Sequence, residues 1–121
     1  MRDEFGSAVK ELLAKRVACR CSNPGCRQAT SGPQENPGKT VNIGVAAHIT
    51  AAAPDGPRYD NGMIPEERGS AGNGLWLCQS CAKLVDNDPV RYSVDTLRRW
   101  KGQAEALAVR ELEQPMLLGA Y

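Results

Sequence analysis

Two closely spaced cysteine pairs constrain the fold of this chain more than any other feature. The first pair is Cys21 and Cys26, in Cys-Ser-Asn-Pro-Gly-Cys, and the second is Cys78 and Cys81, in Cys-Gln-Ser-Cys. Gly, Pro, Asn and Ser around them indicate turns, and thiols carried on turns are poor core material. Because four thiolates suit tetrahedral zinc, the sequence predicts a structural Zn²⁺ site that closes the scaffold around residues 27 to 77.

Two alternatives remain open for the cysteines. Cys19 could replace Cys21 as a ligand, or the thiols could be ordinary buried cysteines, since free cysteine is among the most buried residue types. With no secretory signal and no apolar run of bilayer length in the sequence, we expect a cytoplasmic protein without a membrane partner. In that compartment paired cysteines bind metal more often than they form disulfides.

The length of 121 residues predicts a single domain over 1–121, and a core this small would benefit from a metal. Fifteen Lys and Arg against 14 Asp and Glu leave a net charge of +1, so no global field attracts nucleic acid. Any nucleic-acid binding must use local clusters of basic residues. The tail from Pro115 to Tyr121 is expected to be disordered or to mark the point where a longer protein was cut.

Periodicity predicts the remaining elements of an α+β domain. An amphipathic pattern predicts an N-terminal helix over about 3–17, and strict alternation predicts a half-buried strand over 41–49. A short apolar strand at 75–77 leads into a helix that opens at the second cysteine pair. Ser93 is the expected N-cap of a C-terminal helix over about 93–113.

His48 lies near the end of the alternating strand, on the side opposite its apolar residues. It is the only histidine in the chain, and histidine alone has an unperturbed side-chain pKa near neutrality. We therefore consider it a candidate functional base. The alternative is a histidine that is structural or merely exposed.

The order of His48, then Asn73 five residues before Cys78, then the Cys78-to-Cys81 pair resembles the HNH endonuclease family. That family is the zinc-stapled branch of the His-Me finger, or ββα-metal, fold. The strings CSNPGC, NIGVAAHITAAAPDGPRYD, PEER and NGLWLCQSCAKLVDND resemble HNH nuclease domains of bacterial anti-phage defence effectors, some of which carry a sensor of cyclic nucleotide signals. The resemblance covers about residues 17–102.

This resemblance implies a metal-dependent endonuclease acting on double-stranded DNA in bacterial anti-phage defence. His48 would be the general base that activates water, and a divalent ion, Mg²⁺ or Mn²⁺, would lie at the scissile phosphate. Asn73 would brace the loop between the strands, although Asn-Gly is also an ordinary tight-turn dipeptide. A fused or associated sensor domain and a homodimer are further expectations.

The sequence departs from the family pattern at two positions. Ala82 stands where a metal-binding side chain follows the second cysteine pair, and Ala47 stands where an acidic ligand precedes His48. Asp86 is our preferred substitute ligand, because it lies one helical turn beyond Ala82, and the alternative is a solvated carboxylate. Weaker candidates for the catalytic metal are Asp88, Asp60 and Asp55.

Arg58 and Lys83 are the predicted DNA contacts, because they are close in sequence to the expected site. The other basic residues are interpreted as a solvated face. Two competing hypotheses remain. One is a catalytically degenerate zinc-bearing nucleic-acid-binding module, in which Ala47 and Ala82 mark the lost activity, and the other is a structural zinc domain that joins other domains.

Overall fold

An antiparallel pair of strands, β3 (Gly44–His48) and β4 (Gly74–Cys78), organises the structure, a computed structural model that describes residues 2–114. Gly44 pairs with Cys78 at one end of the pair, and His48 pairs with Gly74 at the other. At about 3.4 Å per residue, four residues of strand separate the cysteine end from the histidine end by about 14 Å. The β3–β4 pair, which we also call the hairpin, thus carries the predicted cysteine site at one end and His48 at the other.

The other elements surround this pair in an α+β arrangement. A second antiparallel sheet precedes it, and a 3-10 turn at Ala71–Asn73 leads into β4. Within residues 2–114 no helix combines the length and apolarity needed to cross a membrane. In chain order the remaining elements are α1 (Ser7–Arg16), β1 (Ser31–Pro33), β2 (Thr40–Asn42), α2 (Pro65–Arg68), α3 (Gln79–Asn87) and α4 (Val94–Glu113).

Both faces of β4 are buried, which explains why this strand is apolar throughout. Leu75 and Leu77 belong to a cluster that includes Val85 of α3 and Leu97 of α4. Trp76 points to the opposite face, where its cluster contains residues of α1 and α4: Leu13, Ala14 and Ala104. The hairpin is therefore fixed between helices on both sides.

The predicted strand over 41–49 is wrong in its continuity. β2 ends at Asn42, Ile43 donates its N–H to the Thr30 carbonyl at 2.7 Å, and β3 begins at Gly44. Gly44 lies directly against the Trp76 ring, since a Cβ there would come within 2.2 Å of the ring. The strand that contains His48 is therefore limited to the second half of the predicted segment.

The predicted N-terminal helix also begins later than expected. Gly6 is the N-cap of α1, with extended backbone angles, and Arg2 to Phe5 form an extended segment that we call the strap. The Asp3 N–H donates to the Ala52 carbonyl at 3.0 Å, which fixes the strap to the segment after β3. The expectation for Pro115 to Tyr121 lies outside the described residues.

Candidate functional site

Four cysteines lie together at one end of the β3–β4 pair, in a cluster that could bind a metal. The sulfur atoms of Cys21, Cys26, Cys78 and Cys81 all lie within 4.8 Å of one another. The Cys26 and Cys78 sulfurs are 3.9 Å apart, and a tetrahedral ion with zinc–sulfur distances of about 2.3 Å places its sulfurs about 3.8 Å apart. Cys19 is outside the cluster. The cluster could hold a structural metal ion such as zinc.

The surroundings of the cysteines suit thiolate ligands. Asn23 donates its Nδ2–H to the Cys81 sulfur, and the Cys81 backbone N–H donates to the Cys78 sulfur, both at 3.4 Å. Burial raises the pKa of the Cys21 and Cys81 thiols. Because burial disfavours the charged form of a thiol, four thiolates this close together need a compensating cation. A Zn²⁺ ion would provide it.

His48 lies at the far end of β3, half-buried beneath the strap. Its Nε2 is 3.0 Å from the Asp3 carbonyl oxygen, and its ring stacks on Phe5 with centroids 3.9 Å apart and planes 10° from parallel. Burial lowers the pKa of His48, partly offset by the bond to Asp3 and by the charge of Glu4. The imidazole is thus held neutral around pH 7, as a general base requires.

Asn73 is fully enclosed and braces both ends of the segment that joins β3 to β4. Its Nδ2 donates to the carbonyls of Thr50 and Arg68, each at 3.0 Å. Its Oδ1 accepts from the Thr50 N–H at 3.1 Å, and its own carbonyl accepts from the Ile49 N–H at 2.9 Å. Asn73 therefore fixes the position of the backbone that directly follows His48.

A cleft of about 520 Å³ opens beside His48. Ala82 and Asp86 of α3 line it together with His48, so the structure brings the preferred substitute acid into the same cavity as the candidate base. The strap contributes Arg2 and Glu4 to the lining.

Asp86 is not a free ligand in this arrangement. Its Oδ1 accepts from Arg58 Nη2 at 3.0 Å, and the Arg58 side chain is only 4% exposed. The guanidinium also donates to the carbonyls of Ile49 at 2.8 Å, Val85 at 2.9 Å and Tyr92 at 3.3 Å. Arg58 therefore cross-links the segment after β3 to α3, and this burial leaves little of it for the predicted DNA contact.

The weaker acid candidates are engaged locally and are not part of the cleft lining. Asp60 Oδ1 accepts from the Gly62 N–H at 2.8 Å, and Asp88 Oδ1 accepts from the Arg91 N–H at 3.1 Å, as in ordinary turns. Asp55 is exposed in the loop after β3. Within residues 2–114 the cysteine cluster is the only group of three or more His, Cys, Asp or Glu side chains close enough to share an ion.

Lys83 is exposed on α3 and forms no ion pair within the described part of the chain. Sequence reasoning missed the strap, which contributes a carbonyl from Asp3, a ring from Phe5 and a carboxylate from Glu4 around His48. It also missed Lys10 of α1, which lines the cleft. Gly6, a poor helix former, was the one sequence signal that the helix begins only after it.

Neither a scan against protein-family models nor a search of curated proteins finds a match to this chain.

Proposed function

We propose that this protein is a metal-dependent endonuclease of HNH type that hydrolyses phosphodiester bonds of double-stranded DNA. The observation that supports it best is the position of His48. The only histidine of the chain lines an open cleft at the end of β3, with one ring nitrogen hydrogen-bonded and the imidazole kept neutral. The order β3, β4, α3 is compatible with the ββα arrangement that the sequence resemblance implies.

In this proposal the residues in and around the cleft have separate roles. His48 takes a proton from a water molecule that attacks the phosphorus in line, and the 3′ oxygen leaves and takes a proton from solvent, which gives a 5′-phosphate and a 3′-hydroxyl. The cations of Arg2 and Lys10 lie on the same cleft and suit contacts to DNA phosphates. Asn73 keeps the segment after His48 in place. A role in bacterial anti-phage defence rests on the sequence resemblance alone.

The donor atoms fit zinc better than they fit a catalytic ion. The four cysteines form a complete ligand set for structural Zn²⁺. For Mg²⁺ or Mn²⁺ the cleft offers two carboxylates, and each is paired with an arginine: Glu4 with Arg2, and Asp86 with Arg58. These residues do not fit a preformed site for the expected divalent ion.

That mismatch is the specific observation in favour of a second candidate function, a catalytically degenerate zinc-bearing module that binds nucleic acid. In this alternative Ala82, which cannot bind a metal, lines the cleft, and Arg58 neutralises Asp86, the acid one helical turn further along α3. The basic residues of the cleft would then contribute phosphate binding without hydrolysis.

Plasmid nicking measured beside plasmid binding separates the two candidates. Zinc-loaded protein is incubated with supercoiled plasmid in Mg²⁺, in Mn²⁺ and without added divalent ion, while a gel shift reports binding. The endonuclease predicts nicking that depends on the added ion. Binding without nicking in either ion would contradict it and support the degenerate module.

A further inference from the structure

The contact between the strap and His48 defines which ring nitrogen carries the hydrogen. A carbonyl oxygen only accepts hydrogen bonds, so the 3.0 Å contact with the Asp3 carbonyl requires a hydrogen on Nε2. In the neutral ring Nδ1 then carries the lone pair. Within residues 2–114 Nδ1 has no hydrogen-bond partner, and it is not an enclosed atom. Phe5, stacked on the imidazole, limits its rotation.

Arg68 holds the strap in this position. Its Nη1 lies 3.2 Å from Asp3 Oδ2, and the two side chains are only 9% and 17% exposed. Its Nη2 donates to the Asp60 carbonyl at 3.2 Å, and its guanidinium lies 4.7 Å from the centre of the Tyr59 ring. Because a pair this buried leaves an uncompensated charge when one partner is removed, Asp3 is strongly held.

Arg68 is also connected to the other candidate site residue, since its carbonyl accepts from Asn73 Nδ2. We propose that Arg68 is a positioning residue, which through Asp3 keeps the strap on His48 and so selects Nδ1 as the atom that accepts the proton. The inference rests on the proposed role of His48 as the base. The contacting residues come from outside the β3–β4–α3 unit, in the strap and in α2.

The direct test is NMR of the imidazole, which is unambiguous because the chain has one histidine. In the wild type we expect a protected Nε2–H resonance and ring protons shifted by the stacked Phe5. Asp3→Asn removes the charge but keeps the backbone carbonyl and the size of the side chain, and we expect it to lose both signals. The control is Glu11→Gln, which removes an exposed acid paired with Lys15 and leaves both signals intact. Wild-type signals in Asp3→Asn would overturn the proposal.

Cleavage kinetics test the consequence for the base. A catalytic group misplaced by about 1 Å can lose about 10²-fold in rate, so Asp3→Asn is expected to lower kcat by about 10-fold or more with KM for DNA unchanged. Arg68→Lys keeps a cation for Asp3 and is expected to restore part of the rate relative to Arg68→Met. An unchanged kcat in Asp3→Asn would overturn the positioning role. If the wild type nicks no DNA in any ion, the proposed function fails, and the spectra still decide whether the Arg68–Asp3 pair holds His48.

Discussion

His48 is held on one side and open on the other. One ring nitrogen is hydrogen-bonded to a backbone carbonyl and one ring face is covered by an aromatic side chain, yet the residue still lines a cleft. The role that we propose for His48 needs this combination, because a base must be both oriented and accessible to water.

The pH dependence of cleavage follows from the same burial. The pKa of His48 lies below its ordinary value of 6.5, because desolvation disfavours the charged ring more than the Asp3 carbonyl and Glu4 favour it, while Arg2 disfavours it further. If His48 is the base, as we propose, its neutral form is the active one, and the cleavage rate should rise with pH through a midpoint below 6.5 and level off by about pH 7.

Glu4→Gln provides the control, because removing a charge that raises the pKa should move the midpoint further down. A midpoint above 6.5 in the wild type would contradict the assignment.

Folding stability should also fall at lower pH. Because the pKa of His48 is lower in the folded state, the unfolded chain binds a proton at His48 more readily, so folding stability falls as the pH drops from 6.5 towards the folded-state pKa.

The β3–β4 pair positions His48 through two glycines that allow close approach. Gly74 is opposite His48, and a Cβ there would lie 2.4 Å from Leu13 Cδ1 and 3.2 Å from Phe5 Cζ. Gly44, at the cysteine end, makes the same allowance for Trp76. α1 and the strap can thus pack directly against the start of β4, opposite His48.

Two Gly→Ala substitutions test this packing, and they are expected to change the free energy of unfolding in opposite directions. Gly74→Ala overpacks the strap side of the hairpin and should lower the free energy of unfolding by about 1 to 3 kcal/mol. Gly102→Ala in α4 meets no atom within 4 Å and should raise it by about 0.5 to 1 kcal/mol. Denaturant unfolding of both variants gives the comparison, and equal effects would contradict the packing described for Gly74.

Local signals predicted most elements, and tertiary contacts set the rest. Ser93 accepts from the Thr96 N–H at the start of α4, as an N-cap does, and β4 contains the predicted apolar run before Cys78. The cysteine spacing predicted a four-cysteine cluster, and the structure selects Cys21 over Cys19 as its member. The break at Ile43 was not predicted, because there the backbone N–H bonds to the Thr30 carbonyl, a partner outside the strand pattern.

The candidate site was predictable only in part for the same reason. His48 and Asp86 were identified from sequence and share a cleft, whereas the pairing of Asp86 with Arg58 depends on a loop whose path no periodicity describes. The contact of Asp3 with His48 likewise joins residues 45 positions apart. Such contacts depend on how separate elements pack, and a single sequence carries no direct signal for them.

The whole molecule is a small domain in which the cysteine cluster ties the turn after α1 to the end of β4 and the start of α3. A structural zinc ion contributes an apparent binding free energy of about 10 to 16 kcal/mol, and a typical domain has about 5 to 15 kcal/mol of stability in total. If the cluster holds zinc, loss of the ion would thus remove a free energy comparable to the whole stability of the fold. The geometry at the His48 end should depend on the metal at the other end.

Cysteine variants test this dependence. Native mass spectrometry should find one zinc per wild-type chain and none in Cys81→Ser, and a strong chelator should abolish the cooperative thermal transition. Cys19→Ser is the matched control, because Cys19 is outside the cluster and its loss should leave the zinc bound. An unchanged melting temperature in the chelator would show that the metal does not stabilise the fold.

The most direct test of the central claim, that His48 is the general base, is the plasmid-nicking rate of zinc-loaded His48→Ala against the wild type in the same divalent ion. Removal of a general base costs about 10²-fold to 10⁴-fold, so we predict a loss of at least two orders of magnitude with DNA binding and zinc content retained. Partial rescue by added imidazole would identify the missing group as the base. A His48→Ala variant that nicks plasmid at the wild-type rate would contradict the account.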